Sequence, residues 1–467
     1  MTVSEELAKY AMALTFSDLS AEVVREVKRS VLDMFACAIG GCASDSGNIA
    51  RDVMVGIGGR EESTVIGSKI KLPCANAALA NGVMVRYLDY NDTFSATRGD
   101  TITGFHPNEL IPAALAVGER QNSSGKNVIT AIALGYELAG RFIFAENNPL
   151  GALGWHYSTS AGYVIPLYVG KLLGLSREQL VNAVGISGTG STTLGIIDAT
   201  GEEYNMTKNM GVPHVAQNSI IAALLACQGF TGPSTVIEGK KGFVQSVTRG
   251  DYKVELLTDC SRNCSMILQA HKKNLAADHT TQGALNAVLR LVNDYNIMPE
   301  QVKSVSIQVS TRSAEHTGDP VKRYPQNKET ADHSLYYLTA IAIIDRAVGP
   351  QQFTPDRYTN PRVINLIDRI TVTANPELNG FIFAGIATIV ISSGHEYTCR
   401  VDYPRGHSNN PLNDVELARK FEDAAQDYLV KEQIERIIDT TSKLETVKNI
   451  GQLMKDFSFD LKHSGRS

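Results

Sequence analysis

The sequence predicts a mainly α-helical fold: a large all-α domain built from both chain ends, with a smaller α+β domain inserted between them. Apolar residues recur at helical spacing through the first 260 positions. Near residue 265 the pattern changes to alternating, strand-like segments mixed with helices, and helical spacing returns after Tyr403-Pro404. We therefore assign residues 1–265 and 403–467 to the helical domain and residues 266–402 to an α+β lid domain.

The helices of the first region carry clear start and stop signals. Ser20 is a good N-cap for a helix with apolar residues at helical spacing from Val23 to Ala38, and Gly40-Gly41 ends it. Ser176 opens another helix, with Gln179 three residues later in a capping-box pattern. Apolar spacing predicts four more helices, over residues 76–89, 109–118, 128–144 and 219–228.

The lid domain combines both periodicities. Residues 302–310 (VKSVSIQVS) alternate between apolar and polar side chains, as a half-buried strand does. Further strand-like segments cover residues 370–373, 387–391 and 397–401, and Gly394 marks a turn between the last two. Helices are predicted over residues 280–295 and 334–348, and after the lid from 414 to 439 and beyond.

Composition excludes several classes of protein. The net charge is −5 and the opposite charges are interspersed, so no basic surface for nucleic acid is expected. The N-terminus is acidic and lacks a signal-peptide pattern, and apolar runs such as residues 220–227 are too short to span a bilayer. Seven scattered cysteines do not form a disulfide framework. We expect a cytoplasmic protein that binds neither nucleic acid nor membrane.

The densest polar cluster runs from Arg86 to Phe94 (RYLDYNDTF). Asp89 and Thr93 lie where an Ala-rich helix ends and a loop begins, and His106 precedes the next apolar helix. Carboxylates and a histidine on a loop held by rigid helices are typical of the edge of an active site. The alternative is that these polar residues only form turns and helix caps.

Four residues farther along the chain add cations and proton carriers. His156 follows Gly154-Trp155, Lys208 precedes an apolar helix, and Lys273 and His279 lie at the entrance of the lid domain. Taken singly, they are also compatible with structural or solvated roles. Together they suit a small polycarboxylate, which needs cations to neutralise its carboxylates, a base for the proton beside one of them, and an acid for the leaving group.

Other chemistries lack their motifs. The glycines near residue 188 do not have dinucleotide-binding spacing, and no P-loop, Gly-x-Ser-x-Gly or His-Glu-x-x-His sequence occurs. The histidines show no metal-ligand spacing apart from the long interval between His271 and His279. We therefore expect no metal and no organic cofactor.

Several stretches, taken in order, resemble the MmgE/PrpD family. They are Val31–Gly40 (VLDMFACAIG), Leu88–Phe94 (LDYNDTF) followed by His106-Pro107, Thr330–Tyr337 (TADHSLYY) and Tyr403–His407 (YPRGH). The resemblance implies a helical domain from both chain ends, a lid domain between them, a homodimer, and catalysis without metal or cofactor. It also implies a pocket formed by Asp89, Thr93, His106, His156, Lys208, Lys273, His279 and Tyr337.

This resemblance implies a lyase, most closely a hydro-lyase of the 2-methylcitrate dehydratase kind. We expect Asp89, His106, Lys208 and His279 to be catalytic, and Thr93, His156, Lys273 and Tyr337 to bind substrate. The same pocket suits decarboxylation of a cis-aconitate-like acid or epimerisation of an iminodisuccinate-like acid, and a non-catalytic carboxylate-binding protein is a further alternative. Two departures from the family bear on substrate choice: a longer loop before His106 (RGDTITGF) and a displaced lid histidine, His279.

Overall fold

Helices dominate the structure, a computed structural model that describes residues 1–98, 101–259 and 263–461. The mainly α fold class is confirmed. The α-helices are α1 Val3–Ala13, α2 Ala21–Gly41, α3 Asp45–Ile57, α4 Cys74–Tyr87, α5 Ile111–Arg120, α6 Gly125–Ala145, α7 Ser158–Leu172, α8 Arg177–Gly190, α9 Gly211–Cys227, α10 Phe243–Ser246, α11 Gln282–Asp294, α12 Thr311–His316, α13 Lys328–Ala331, α14 Leu335–Asp345, α15 Pro355–Tyr358, α16 Pro361–Ile367, α17 Asp414–Ala425, α18 Lys431–Ser442 and α19 Gly451–Met454.

Both chain ends contribute to one helical core. Its buried apolar residues run from Leu7 to Ala270 and again from Leu412 to Phe457. Helix α17 packs against α2, which starts at the predicted cap: the Ser20 hydroxyl accepts from the amide of Val23. The Ser176 capping box at the start of α8 is also confirmed.

A second apolar core, from Leu275 to Val401, surrounds a four-stranded sheet. Its strands, in the spatial order β6-β5-β7-β8, follow two short pairs in the helical region. Strand β5 pairs in parallel with β6 and antiparallel with β7, so that Val305 lies between Ile370 and Ile389. Helix α11 packs against β7 and β8. The strands are β1 Ser63–Thr64, β2 Lys71–Leu72, β3 Phe94–Arg98, β4 Thr101–Phe105, β5 Val302–Val309, β6 Ile370–Ala374, β7 Gly385–Ile391 and β8 Glu396–Val401.

Three local predictions differ from the structure. The predicted long loop before His106 contains the hairpin β3–β4, although Gly99 and Asp100 of that stretch lie outside the described residues. The helix predicted at 219–228 begins at Gly211, because Pro213 sits in the first turn, where backbone amides need no helical acceptor. The single helix predicted from residue 414 to 439 is divided into α17 and α18.

The prediction that no apolar segment is long enough to span a bilayer was too strict. Two described helical segments, Gly125–Ala145 and Met206–Cys227, have sufficient length and hydropathy. In the first, 94% of the apolar window is buried inside the molecule, and in the second 56%. Burial of nearly every residue of Gly125–Ala145 is what the core helix of a globular domain shows.

Candidate active site

The site is organised around Asp89, just beyond the end of α4. Its backbone is left-handed, with φ of 48°, and its amide donates to the carbonyl of Arg86 at 3.2 Å. Aspartate tolerates this conformation better than most residues, because its short side chain forms local hydrogen bonds. The turn directs a fully buried carboxylate into the region where the two apolar cores meet.

Three cations surround this carboxylate. Arg86 Nη1 lies 2.6 Å and Lys208 Nζ 2.9 Å from Oδ2, while Lys273 Nζ contacts Oδ1 and lies 2.8 Å from the Asp89 carbonyl oxygen. Burial alone would raise the pKa of Asp89, but attraction by Arg86, Lys208 and Lys273 outweighs it and holds the pKa well below its usual value. The predicted residues Asp89, Lys208 and Lys273 are thus brought together, and Arg86 joins them.

A second carboxylate, Asp332, completes the charge network. Its Oδ1 lies 3.1 Å from Lys208 Nζ, and its Oδ2 accepts from Lys328 Nζ at 2.5 Å. The neighbouring His333 contacts Asp332 through Nδ1 and approaches Asp89 Oδ2 to 3.5 Å through Nε2. Asp332 and His333 are not among the predicted site residues, although both belong to the stretch TADHSLYY, whose adjacent acid and histidine were the available signal.

His106 is held in one tautomer. Its Nδ1 lies 2.7 Å from the backbone carbonyl oxygen of Asp92, which can only accept, so Nδ1 carries the proton and Nε2 the lone pair. Burial, reinforced by repulsion from Arg86 and Lys273, holds the pKa of His106 well below its ordinary value. The imidazole is therefore neutral near pH 7 and offers Nε2 as a base.

His156 has the opposite tautomer. Its Nδ1 accepts from the backbone amide of Ser158 at 3.3 Å, so the neutral ring carries its proton on Nε2. Burial lowers the pKa of His156 to about 4. The rings of His106 and His156 both pack against Tyr157, with centroids 5.7 and 4.0 Å away. His106 can thus accept a proton, and His156 can donate a hydrogen bond, beside the same aromatic ring.

Glu109 lies behind this aromatic ring. Its Oε1 accepts from the hydroxyl of Tyr157 at 3.0 Å and lies 3.3 Å from Arg86 Nε. Burial raises the pKa of Glu109 to about 7, despite the lowering effect of Arg86. A carboxyl group that titrates near neutrality is therefore connected to the histidine pair through Tyr157.

His279 and Thr93 complete the side of the site nearest the α+β region. The His279 ring centroid is 6.0 Å from that of His106, and its Nδ1 is 3.2 Å from Asp278 Oδ2. Thr93 pairs through its backbone with His271, and its buried hydroxyl has no hydrogen-bond partner in the described part of the chain. Thr93, Lys273 and His279 line one small cavity, consistent with an approach to the cluster from this side.

Tyr337 does not join the cluster, which corrects the predicted substrate contact. Its fully buried ring lies in the second apolar core, 5.5 Å from Tyr358 and 6.3 Å from Phe353 between ring centroids. Its hydroxyl donates to the carbonyl of Gln352. Tyr337 lies in the first turn of α14, and its position supports the second apolar core.

Two groups of described side chains have donor atoms close enough to share a metal ion, each group within 4.8 Å. In the first, Asp89, Asp332 and His333, the carboxylates are already neutralised by lysines. The second consists of Asp198, His316 and His333. The expectation of no metal came from spacing along the chain, which does not reveal that His316 and His333 converge in space.

Two family models match most of the chain. The MmgE/PrpD N-terminal domain matches residues 5–255, and the MmgE/PrpD C-terminal domain matches residues 276–446. The chain belongs to the MmgE/PrpD family. The family resemblance expected from the sequence motifs is therefore confirmed.

Among the relatives of this chain are two kinds of lyase. The chain is 24% identical to the cis-aconitate decarboxylase of Homo sapiens over 480 residues, covering 97% of this chain and 94% of that protein. It is 24% identical to the cis-aconitate decarboxylase of Aspergillus terreus, with 97% and 95% coverage. The 2-methylcitrate dehydratase of Escherichia coli is 22% identical, with 80% and 81% coverage. These similarities support an enzyme of the lyase type.

Proposed function

We propose that the protein is a lyase that removes a proton next to a carboxylate of a small polycarboxylic acid. The observation that carries this proposal is the fixed tautomer of His106, whose neutral Nε2 is available as a base near Arg86 and Lys273. A neutral imidazole beside cations is suited to take a proton from carbon, because the cations stabilise the negative charge that develops.

The other side chains of the site would bind the substrate and protonate the leaving group. Lys208 and Lys273, now paired with Asp89, would bind the substrate carboxylates, and Thr93 would offer its unused hydroxyl. His156 Nε2–H would donate a hydrogen bond to substrate. His279, with Asp278 beside its Nδ1, would deliver a proton to the leaving group. These are proton transfers and electrostatic contacts, so the proposed steps use no organic cofactor.

Dehydration of a methylcitrate-like acid is the first reaction to test. It needs both a base and a proton donor, and His106 faces His279 across 6.0 Å between ring centroids. Decarboxylation of cis-aconitate is the second candidate, because the similarity to cis-aconitate decarboxylases covers 97% of this chain. Both reactions generate a carbanion-like centre that the same cations would stabilise.

Product analysis separates the two reactions. Purified protein is incubated with 2-methylcitrate or with cis-aconitate in deuterated water, and products are followed by NMR. Loss of water with formation of a carbon–carbon double bond identifies the dehydratase. Release of carbon dioxide with deuterium incorporation identifies the decarboxylase. Absence of turnover for both acids and for their close analogues contradicts the proposal.

A variant tests the role of His106. His106→Asn retains a side-chain donor toward the Asp92 carbonyl but lacks the basic Nε2, so kcat should fall by about 10²–10⁴-fold. His395→Asn, at an exposed turn of the sheet, is the matched control and should leave kcat unchanged. Near-normal kcat in the folded His106→Asn protein would exclude His106 as the base.

We also propose that the active protein is a cytoplasmic homodimer without nucleic-acid or membrane association. This proposal rests on the family resemblance and on the interspersed surface charges. Light scattering coupled to size-exclusion chromatography measures the dimer directly. A mass equal to that of one chain at micromolar concentration would contradict it.

A further inference from the structure

Three potential metal ligands, Asp198, His316 and His333, converge where the two apolar cores meet, and Asp278 lies beside the two imidazoles. Asp198 comes from the helical region, while Asp278, His316 and His333 come from the α+β region. His333 Nε2 is 3.8 Å from Asp198 Oδ1 and 3.5 Å from Asp278 Oδ2, and His316 Nε2 is 3.9 Å from Asp278 Oδ2. Donor atoms of Asp198, His316 and His333 all lie within 4.8 Å of one another.

Two of these donor atoms lack hydrogen bonds. His333 Nε2, on a side chain only 1% exposed, and Asp198 Oδ1 are buried without a hydrogen-bond partner among residues 1–98, 101–259 and 263–461. Buried polar atoms are rarely left unpaired, so each such atom calls for a ligand or ion. The two atoms lie 3.8 Å apart.

Hydrogen bonds from neighbouring residues orient the proposed ligand atoms. Nδ1 of His333 contacts Asp332 Oδ1, the carboxylate–histidine arrangement that orients metal-binding imidazoles and leaves Nε2 as the donor. Asp278 Oδ1 accepts from the backbone amide and the hydroxyl of Thr280, and Oδ2 lies among the imidazoles of His279, His333 and His316. The nearby cation Lys322 is directed elsewhere, to the Tyr204 hydroxyl and the His316 carbonyl.

We propose that Asp198, Asp278, His316 and His333 form a divalent metal site, best suited to Zn²⁺, that links the two domains. Zinc bonds of about 2.0–2.2 Å in tetrahedral geometry separate neighbouring ligand atoms by about 3.3–3.6 Å. Three of the ligand pairs are separated by 3.5–3.9 Å, and the donor atoms of Asp198, His316 and His333 all lie within 4.8 Å of one another, so metal binding would draw the ligands closer together. Two carboxylates and two imidazoles also balance the charge of a divalent ion.

The role of this metal would be structural. One ligand belongs to the helical domain and three to the α+β domain, so the ion would join the two domains beside the cluster of Asp89. Because binding to the folded state alone raises stability, removing the ion should lower the thermal midpoint and loosen the lid. Asp278 Oδ2 also lies 3.2 Å from His279 Nδ1, so the ion would share this carboxylate with the proposed proton donor, although no proton would pass through the metal.

Metal binding is measured without reference to activity. Full-length protein is stripped with a chelator and titrated with ZnCl₂ by calorimetry, and the thermal midpoint is recorded with and without Zn²⁺. We expect one Zn²⁺ per chain, a dissociation constant below about 1 µM, and a higher midpoint in the loaded protein. Co²⁺ in place of Zn²⁺ should give the visible absorption bands of a tetrahedral site.

Two variants locate the site. His316→Ala and, as an isosteric change that preserves packing, Asp198→Asn should each weaken Zn²⁺ binding by at least about tenfold. His395→Ala, which removes an exposed histidine, should bind as the parent protein does. Wild-type protein that binds Zn²⁺ no more tightly than about 1 µM, or Asp198→Asn protein with unchanged affinity, would overturn the proposal. Failure of the proposed lyase activity would leave these readouts unaffected.

Discussion

Replacing Asp89 by asparagine tests the charge balance of the site. The substitution preserves side-chain shape and tolerates the left-handed backbone at φ 48°, so it removes mainly one negative charge. Arg86 retains Glu109 at 3.3 Å, and Lys208 retains Asp332 at 3.1 Å. Among the described carboxylates, Asp89 is the one paired with Lys273. In the variant, Lys273 Nζ would therefore retain only its hydrogen bond to the backbone carbonyl oxygen of residue 89, at 2.8 Å.

The size of the effect follows from these contacts. Removing one partner of a buried ion pair costs about 3–5 kcal/mol, because the remaining charge is left desolvated without compensation. Since two of the three cations keep a carboxylate, we expect Asp89→Asn to lower the free energy of unfolding by about 3 kcal/mol. Asp89→Ala should cost about 1 kcal/mol more, because alanine disfavours the left-handed conformation.

Urea denaturation followed by circular dichroism measures these changes, with Asp89→Asn combined with Lys273→Met as the critical comparison. The double variant removes both the anion and the cation that depends on it, so it should be more stable than the sum of the single changes by about 1–3 kcal/mol. A loss below about 1 kcal/mol in Asp89→Asn, or strictly additive changes in the double variant, would refute the charge-balance argument.

Three further outcomes follow from particular contacts. The pKa of Glu109 is raised from 4.5 to about 7, so its contribution to stability is lost as pH rises through that window. The free energy of unfolding of Glu109→Gln should therefore rise by up to about 3 kcal/mol relative to that of the parent between pH 4.5 and 8. Urea titrations at several pH values measure this difference, and a pH-independent difference would contradict the prediction. A Cβ on Gly406, at φ 95°, would lie 1.8 Å from the Lys272 carbonyl oxygen, whereas one on Gly394, at φ 89°, would meet no atom within 4 Å. Gly394→Ala should therefore cost about 1–2 kcal/mol, and Gly406→Ala clearly more, by thermal unfolding; equal losses would show that backbone strain alone decides. Because the lowered pKa keeps His106 neutral, the kcat/KM of the enzyme should stay constant as pH falls to values below 6.5. A loss of activity centred at or above pH 6.5 would indicate another base.

Sequence patterns were sufficient where a local physical signal exists. The cap at Ser20, the capping box at Ser176 and the alternation of residues 302–310 each reflect nearest-neighbour hydrogen bonding or burial, and the structure shows all three. The hairpin β3–β4 was missed because its stretch reads as a polar, glycine-containing loop. The break between α17 and α18 was missed because no glycine or proline marks it.

The site was predictable only in part, for a related reason. Asp89, Lys208 and Lys273 came from motifs, and their contacts join residues up to 184 positions apart. His333 and Tyr337 belong to one short motif, but their side chains lie in different surroundings. The histidine precedes α14 and faces the carboxylates, while the tyrosine lies in the first turn of α14 and is buried in the second apolar core. A motif cannot reveal which of its members faces the cleft.

Because both chain ends contribute to the helical core, this core cannot be completed until the C-terminal helices have been synthesised. The buried pair between Lys420 Nζ and Asp33 Oδ1, 2.8 Å apart, joins positions 387 residues apart. At about 5–20 residues per second, a ribosome needs roughly 20–80 s to deliver the partner of α2. The part of α2 that packs against α17 must remain uncovered, or be shielded by a chaperone, throughout that interval, whereas α4 is available to α2 much earlier. The α+β region is contiguous in sequence, so all of its residues are available before α17, α18 and α19 are synthesised.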